Sequence, residues 1–377
     1  QRAHFRDVSG WECPGWYAPE GQQPDEGPLT YGRPQWFQHW EAEHHACRED
    51  VIAMDMSFMG KFLVQGRDAG AFLDYLSANE VNGDSEKITY TQWLNDDGLL
   101  EADLTVIKLD NEKFMVVTSD VAHRHTETWM KRHIGVDQHV FVTDVTSGYG
   151  QLNIQGPRSR ELLQSITSAD LSNEAFPFRT AREIDMGLGR VLCVRITYAG
   201  ELGYELNIPS EQALHVYDRI VQAGAPFGLR HAGLKALASL RLEKGYRDYG
   251  HDIDNMDDPF STGLGFAVRL KKESDFIGKA ASIERKASIK YTHRLVSILL
   301  RDPEPILMHH EIVHRNGKPV GSIRAGSFGH TLGAGVGLAM VEGDPVNAAY
   351  LSEGEWTVVI AGRVYPADVS LKPFYDP

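Results

Sequence analysis

The stretch from Lys87 to Asp110 constrains the fold of this 377-residue chain more than any other. From Tyr90 it reads Y-T-Q-W-L-N-D-D-G-L-L-E-A-D-L-T-V-I-K-L-D. Lys87 to Leu94 is rich in β-branched and aromatic residues and is predicted as a strand. Asn95-Asp96-Asp97-Gly98 is a turn, because Asn and Gly accept the positive φ of a tight hairpin. A second strand is expected from Ala102 to Leu109, with Leu104, Val106 and Leu109 on a partly apolar face. Asp103 lies just past the turn. Strand hydrogen bonds can hold such a carboxylate rigidly while it faces a cleft, although spacing alone favours an exposed acid on an edge strand.

The chain is too long for one core, so two or three domains are expected. Its first residue is Gln1 rather than Met, which suggests a processed chain or a piece of a longer one. No apolar run approaches the roughly 20 residues of a membrane helix. Three scattered cysteines fit a reducing compartment, cytoplasmic or, in a eukaryote, the mitochondrial matrix. A net charge of −14 argues against nucleic acid as a partner.

Residues 1–40 read as an irregular arm carrying Trp11, Trp16, Tyr17, Tyr31, Trp36, Phe37 and Trp40. These aromatics cannot stay in water, so the arm should pack along a domain or a partner. A helix is expected from Gln35 to Glu49. His44 and Cys47 share one of its faces, but no further ligands complete a metal site. Val51 to Val64 reads as strand broken at Met59-Gly60, and Asp68 to Ala78 as helix. Beyond the hairpin, Lys113 to Thr118, Val140 to Val145 and Gly150 to Gln155 read as strands and Val121 to His133 as a helix. Strands and helices alternating with hairpins point to α+β domains with antiparallel sheets.

Leu192 to Pro209 is the second informative stretch. Strands are expected over Val191 to Tyr198 and Tyr204 to Ile208, so that Tyr198 and Glu205 bracket a tight glycine turn. A charge at Glu205 needs a partner, since burying it unsatisfied costs several kcal/mol. That partner is either an internal Arg or a ligand with adjacent N–H donors. Helices follow from Ser210, as N-cap, to Gly224 and from Leu234 to Lys244, the latter carrying Arg241. After a Lys/Ser-rich linker, His293 to Pro377 reads as a small antiparallel barrel or sandwich. Two motifs there are decoys. His310-Glu311-Ile312-Val313-His314 matches a zinc pattern that works only on a helix, and this segment reads as a hairpin. Gly333, Gly335 and Gly337 sit among strands and read as close backbone packing. With no nucleotide-binding glycine loop, this polypeptide alone should not carry FAD or NAD.

W-E-C-P-G-W-Y-A-P-E-G at Trp11, A-M-D-M-S-F-M-G-K-F at Ala53, D-L-S-N-E-A-F-P-F at Asp170, G-E-L-G-Y-E-L-N-I-P at Gly200, L-E-K-G-Y-R at Leu242 and D-F-I-G-K at Asp275 carry a family resemblance. The chain resembles the folate-binding module of the glycine-cleavage T-protein (aminomethyltransferase) family. It is similar to the C-terminal part of sarcosine and dimethylglycine dehydrogenases. The resemblance implies a three-domain cloverleaf around a central folate channel. Residues 1–54 with 140–250 and residues 55–139 with 251–287 would form two interleaved α+β domains, and 288–377 a C-terminal β-barrel or jelly-roll-like domain. Asp103 falls on the family's catalytic aspartate, and Tyr90 on a folate-contacting tyrosine. Tyr198 and Glu205 fall on the pair that grips the pterin, and Met59 on an apolar wall residue. Ala236-Leu237-Ala238 stands where the family has Ala-Arg-Asp, and Arg241, one turn later, stands in for that arginine.

The function this implies is tetrahydrofolate-dependent one-carbon transfer. The carbon released by oxidative demethylation of a small N-methyl amine, as iminium or formaldehyde, is captured as methylene-tetrahydrofolate. Asp103, ionised at an unperturbed pKa of about 3.9, handles the proton. FAD would lie on a separate domain or partner subunit. The alternatives are the folate domain of another demethylase, such as one acting on an N-oxide, a free-standing folate-dependent demethylase, or a non-catalytic folate-binding subunit.

Overall fold

A computed structural model describes residues 2–30, 32–288 and 290–376. Tyr31, counted above among the N-terminal aromatics, lies outside them.

The break at Met59-Gly60 turns out to separate two sheets. Val51–Asp55 lies inside a six-stranded sheet ordered Ala181–Met186, Gly189–Val194, Gly203–Pro209, Tyr149–Gln155, Val51–Asp55, Leu229–His231. Only its last pair is parallel. Gly60–Gln65 enters a five-stranded antiparallel sheet ordered Ile88–Leu94, Leu100–Lys108, Lys113–Thr118, Gly60–Gln65, Phe141–Asp144. Because Phe141–Asp144 pairs with Gly60–Gln65, the chain returns to the six-stranded sheet after Asp144 rather than at residue 140. The C-terminal strands close into a six-stranded barrel. Within it, a Cβ at Gly337 would lie 2.6 Å from the Ala325 carbonyl oxygen and one at Gly335 3.0 Å from the Pro305 carbonyl oxygen, so these two serve close packing, whereas Gly333 has open space and a φ of 72°. His314 lies on the strand Ile312–Arg315 and not on a helix.

Successive strand residues point to opposite faces. On the outer face of the six-stranded sheet, Ile154, Tyr204, Leu206 and Ile208 pack with Val216 and Ile220 of the helix Ala213–Gly224. On the outer face of the five-stranded sheet, Phe62, Val64, Leu104 and Val106 pack with Phe72, Leu73 and Leu76 of the helix Ala69–Leu76. Each such fully buried side chain contributes about 1.5–3 kcal/mol. The two inner faces meet. Ile88, Ile107, Met115 and Val117 of one sheet pack against Leu192 and Val194 of the other. By the same alternation, Tyr90, Gln92 and Asp103 from one side and Gln151, Asn153, Glu205 and Asn207 from the other share this inter-sheet layer.

The N-terminal arm is more regular than its sequence suggests. Ala3–Val8 and Trp11–Tyr17 form a hairpin around Ser9 and Gly10, whose φ values of 51° and 87° suit a two-residue turn. Trp16, Trp36, Phe37 and Trp40 are covered as expected, whereas Trp11 is exposed. Trp16 stacks on Trp36 with centroids 6.3 Å apart, and Phe37 of the helix Phe37–Glu49 meets Phe328 of the barrel edge-on. Ser210 does not cap a helix. Its hydroxyl donates to the Ser147 carbonyl at 2.6 Å, and the α-helix begins at Ala213 after a 3-10 turn.

One buried acid joins three parts of the molecule. Glu243, at the end of the helix Leu234–Glu243, accepts from Arg48 at 2.8 Å and from the Thr331 backbone N–H of the barrel at 2.8 Å. Burial alone would raise its pKa. Hydrogen bonds from His44 and Arg48 and the charge on Arg48 outweigh that and hold it near about 2. Glu243→Gln leaves the Arg48 guanidinium buried beside Glu201 alone and should cost about 3–5 kcal/mol. An unchanged urea midpoint for this variant would remove Glu243 as the joint between barrel and body.

Candidate functional site

The hairpin carries one half of the site. Gln92 stands directly opposite Asp103 in the ladder, and Tyr90 is diagonal to it. The Gln92 amide donates to Asp103 Oδ1 at 2.8 Å, and the Tyr90 hydroxyl donates to the same carboxylate. A register shift after Trp93 leaves Glu101 as an extra residue just before Ala102 and Asp103. Bulges of this kind re-aim neighbouring side chains.

The loop after the helix Leu234–Glu243 covers this carboxylate. It brings Asp248 and Asp252, whose charges act on Asp103, and Arg247, whose Nε donates to the Thr262 carbonyl at 2.8 Å. Tyr198 closes the group. Its hydroxyl donates to the Arg247 carbonyl at 2.7 Å, and its ring stacks on Tyr246 at 5.8 Å. Tyr198 is not on a strand, because Gly189–Val194 ends four residues earlier. The cause is Thr197. Its hydroxyl donates to Gln155 Oε1 at 2.9 Å and accepts from the Ala199 and Gly200 N–H groups, bending the chain off the sheet. Arg241 lies behind Tyr198, with Nη1 bonded to Asp252 Oδ1 and to the Tyr246 carbonyl, each at 3.0 Å.

Glu205 sits further along the same layer. Among the described residues its bonded partners are amides and not the internal Arg that was one of the two possibilities. Asn153 Nδ2 donates to Oε1 at 3.1 Å, and Gln151 Nε2 to Oε2 at 3.4 Å. The nearby cation is Lys61, a fully buried lysine whose Nζ donates to the Ser57 and Met59 carbonyls at 3.0 and 2.8 Å. Met59, whose carbonyl accepts from Lys61, packs against the inter-sheet apolar cluster and against the cluster that Tyr198 also borders. The structure therefore groups Asp103, Tyr90, Tyr198 and Arg241 directly, with Glu205 and Met59 along the layer.

Tyr90, Asp103, Tyr198, Glu205 and Met59 all keep some accessible surface. Burial nevertheless dominates the electrostatics of Asp103, Tyr90, Tyr198 and Glu205 and raises the pKa of each. Two surface hollows, at residues 110–113 and beside the N-terminal hairpin, include none of them.

Electrostatics departs from the sequence expectation. Burial, reinforced by the charges of Asp248 and Asp252, outweighs the bonds from Tyr90 and Gln92 and raises Asp103 to about 7. It is not the unperturbed, fully ionised acid expected above. Burial likewise raises Glu205 to about 7 against the bond from Asn153 and the charge of Lys61. Gln92, Gln151, Asn153, Arg247 and Lys61 went unnoticed in the sequence. The signal for Gln92 was its place two residues after Tyr90, and Lys61 and Arg247 lie within motifs already singled out.

Two carboxylates inside a layer between interleaved antiparallel sheets, with a closed barrel appended, define an aminomethyltransferase-type architecture. Residues 1–272 match the GCVT N-terminal domain and residues 293–376 the glycine cleavage T-protein C-terminal barrel domain. The chain belongs to the glycine cleavage T-protein family and is a transferase-type enzymatic domain. It is 40% identical over 375 residues to 4-methylaminobutanoate oxidase (formaldehyde-forming) of Paenarthrobacter nicotinovorans, covering 100% of this chain and 44% of that protein. Against mitochondrial sarcosine dehydrogenase of Mus musculus the identity is 32% over 416 residues, covering 99% and 45%. The chain thus spans less than half the length of these relatives. The fold matches glycine cleavage system aminomethyltransferase T from Bartonella henselae with a TM-score of 0.82 at 22% identity, covering 99% of this chain and 94% of that one. Among the described residues no helix is long and apolar enough to cross a membrane.

Proposed function

We propose that this chain transfers a one-carbon unit, released by oxidation of an N-methyl amine, onto tetrahydrofolate held between the two sheets. The observation that carries the proposal is the lining. Asp103 and Glu205 both have pKa values raised by burial, and neither is in a direct ion pair among the described residues. Gln92 Oε1 and Gln151 Oε1 beside them are buried acceptors without a partner among those residues. Two carboxylates that keep accessible surface in this inter-sheet layer suit a heterocycle rich in N–H donors, as a reduced pterin is. When bound, tetrahydrofolate supplies two nucleophilic amine nitrogens that take up one carbon at the oxidation level of formaldehyde.

In this reading Glu205 anchors the pterin by charge-assisted hydrogen bonds, and Tyr198 and Met59 wall it in. Tyr90 and Gln92 orient the Asp103 carboxylate, which takes a proton as the new carbon–nitrogen bonds form and returns it to the departing water or amine. Arg241 supports this from behind by holding Asp252. FAD and the oxidation of the donor belong to a separate domain or partner in this proposal, consistent with relatives more than twice as long.

The experiment is to mix the protein with tetrahydrofolate and formaldehyde. Condensation faster than the uncatalysed reaction is expected, and an equal rate would overturn the proposal. Sarcosine or another N-methyl amine in place of formaldehyde should give no turnover without a flavoprotein. Turnover there would favour the free-standing demethylase.

A further inference from the structure

Arg247 is a cation without a counter-ion on the loop that covers Asp103. Other arginines of this region are paired. Arg48, bonded to the Ala199 carbonyl next to Tyr198, meets Glu243 at 2.8 Å, and Arg241 meets Asp252 at 3.0 Å. Among the described residues no carboxylate lies within ion-pair distance of Arg247. A charge taken partly out of water ordinarily has such a partner. The bonds that Arg247 does make go to neutral oxygens. Nε donates to the Thr262 carbonyl at 2.8 Å, and Nη1 donates to the Gly245 carbonyl. Nη2 lies against Gly263, where a Cβ would stand 2.6 Å away. It has no hydrogen-bond partner among the described residues and keeps accessible surface. The backbone is fixed as well, since the Tyr198 hydroxyl donates to the Arg247 carbonyl at 2.7 Å. A guanidinium held through its other nitrogens, with Nη2 free, is preorganised to take an oxyanion.

Its position decides which oxyanion. The Arg247 charge acts on Tyr90, Asp252, Asp103 and Tyr198, the residues gathered at the reacting end of the site. Asp252 is already held by Arg241, and Asp103 by Gln92 and Tyr90. Asp103 and Arg247 therefore present a carboxyl and a free guanidinium to one small region. That pair complements a zwitterion, with a positive nitrogen towards Asp103 and a carboxylate towards Arg247. An iminium without a carboxylate leaves the guanidinium unused, and formaldehyde carries neither charge. The tail of a folate also bears carboxylates, but an aminobenzoyl group separates them from the reacting nitrogens.

We propose that Arg247 is a specificity residue of the transfer site, whose free Nη2 takes the carboxylate of the molecule that delivers the carbon and so favours an amino-acid iminium over the iminium of a plain amine. This rests on the folate reading above. The step balances without an oxidant. The methylene carbon of the iminium bonds to both amine nitrogens of tetrahydrofolate, and its bond to the donor nitrogen breaks. The two protons lost by those nitrogens end on the donor nitrogen, which leaves as the ammonium group of the amino acid.

The test is titration of the intact chain, loaded with tetrahydrofolate, with glycine and 4-aminobutanoate and with methylamine and propylamine, which match them without the carboxylate. The parent protein should bind at least one of the amino acids at least about tenfold more tightly than the matching amine. Arg247→Gln should bring that ratio to about one, and Arg247→Lys, which keeps the charge but not the fork, should retain part of it. Equal affinities in the parent, no amino-acid binding in the parent, or a preference that survives Arg247→Gln overturns the proposal. The parent comparison needs no variant and so survives a misfolded one. A second pair of titrations separates the two sources of carboxylate, using tetrahydrofolate and 6-methyltetrahydropterin, which lacks the tail. An Arg247→Gln loss confined to tetrahydrofolate assigns the guanidinium to the tail and overturns the donor assignment, whereas equal behaviour of the two compounds is expected. Failure of the parent to bind tetrahydrofolate refutes the folate reading itself. Folate binding without a preference for amino acids refutes the role of Arg247 alone.

Discussion

Asp103→Asn should lower the rate of one-carbon transfer by about 10²–10⁴-fold while largely retaining affinity for reduced folate. Asparagine keeps the size and can still bond Tyr90 and Gln92, but it cannot take a proton. The parent rate should also rise with pH through about 7, as the buried carboxyl ionises, whereas the residual rate of the variant should be flat there. Stability moves the opposite way. A carboxyl raised from 3.8 to about 7 keeps its proton in the folded state where the unfolded chain has lost it, so it costs stability progressively as pH rises from about 4 to about 7. The variant should therefore melt above the parent at pH 8, with a gap that narrows towards pH 4. Equal transfer rates for parent and variant would reject Asp103 as the proton carrier, and a parent melting point higher than the variant's at pH 8 would reject its raised pKa.

Glu205→Ala should weaken reduced-folate binding by at least about a hundredfold, from loss of two charge-assisted hydrogen bonds. The same change strips the nearby negative charge from Lys61, whose pKa burial already lowers to about 8. Some loss of stability is expected on that account, so Glu205→Gln serves as the companion variant. It keeps the shape and one acceptor, and should bind between parent and alanine. Calorimetric titration decides the matter. Parent-like affinity in both variants would mean that Glu205 does not touch the ligand.

Much of this was legible in the chain. The hairpin from Ile88 to Lys108 was plain because β-branched strands flank a sequence that can turn, and Asn95 Oδ1 accepts from the Asp97 and Leu99 N–H groups in that turn. The barrel and most helices followed from the same periodicities. What stayed hidden depends on partners distant in sequence. Nothing local says that Val51–Asp55 and Gly60–Gln65 join different sheets, since both read as strand. The departure at Thr197 depends on Gln155, forty-two residues away. The pKa of Asp103 is raised by burial and, on top of that, by the charges of Asp248 and Asp252, and only the folded chain brings these together. The N-terminal hairpin is a different case, because Ser9-Gly10 is a readable turn that the density of aromatic residues masked.

The chain crosses from one sheet to the other between Asp55 and Gly60, and back between Asp144 and Tyr149. Asp103 and Glu205 therefore belong to sheets sewn through each other. No single scission of the polypeptide can put the two carboxylates on separate intact sheets, because Val51–Asp55 precedes the inserted five-stranded sheet while the rest of its own sheet follows it. A cut anywhere within the inserted segment therefore breaks the five-stranded sheet as well, and a cut on either side of it parts Val51–Asp55 from Tyr149–Gln155.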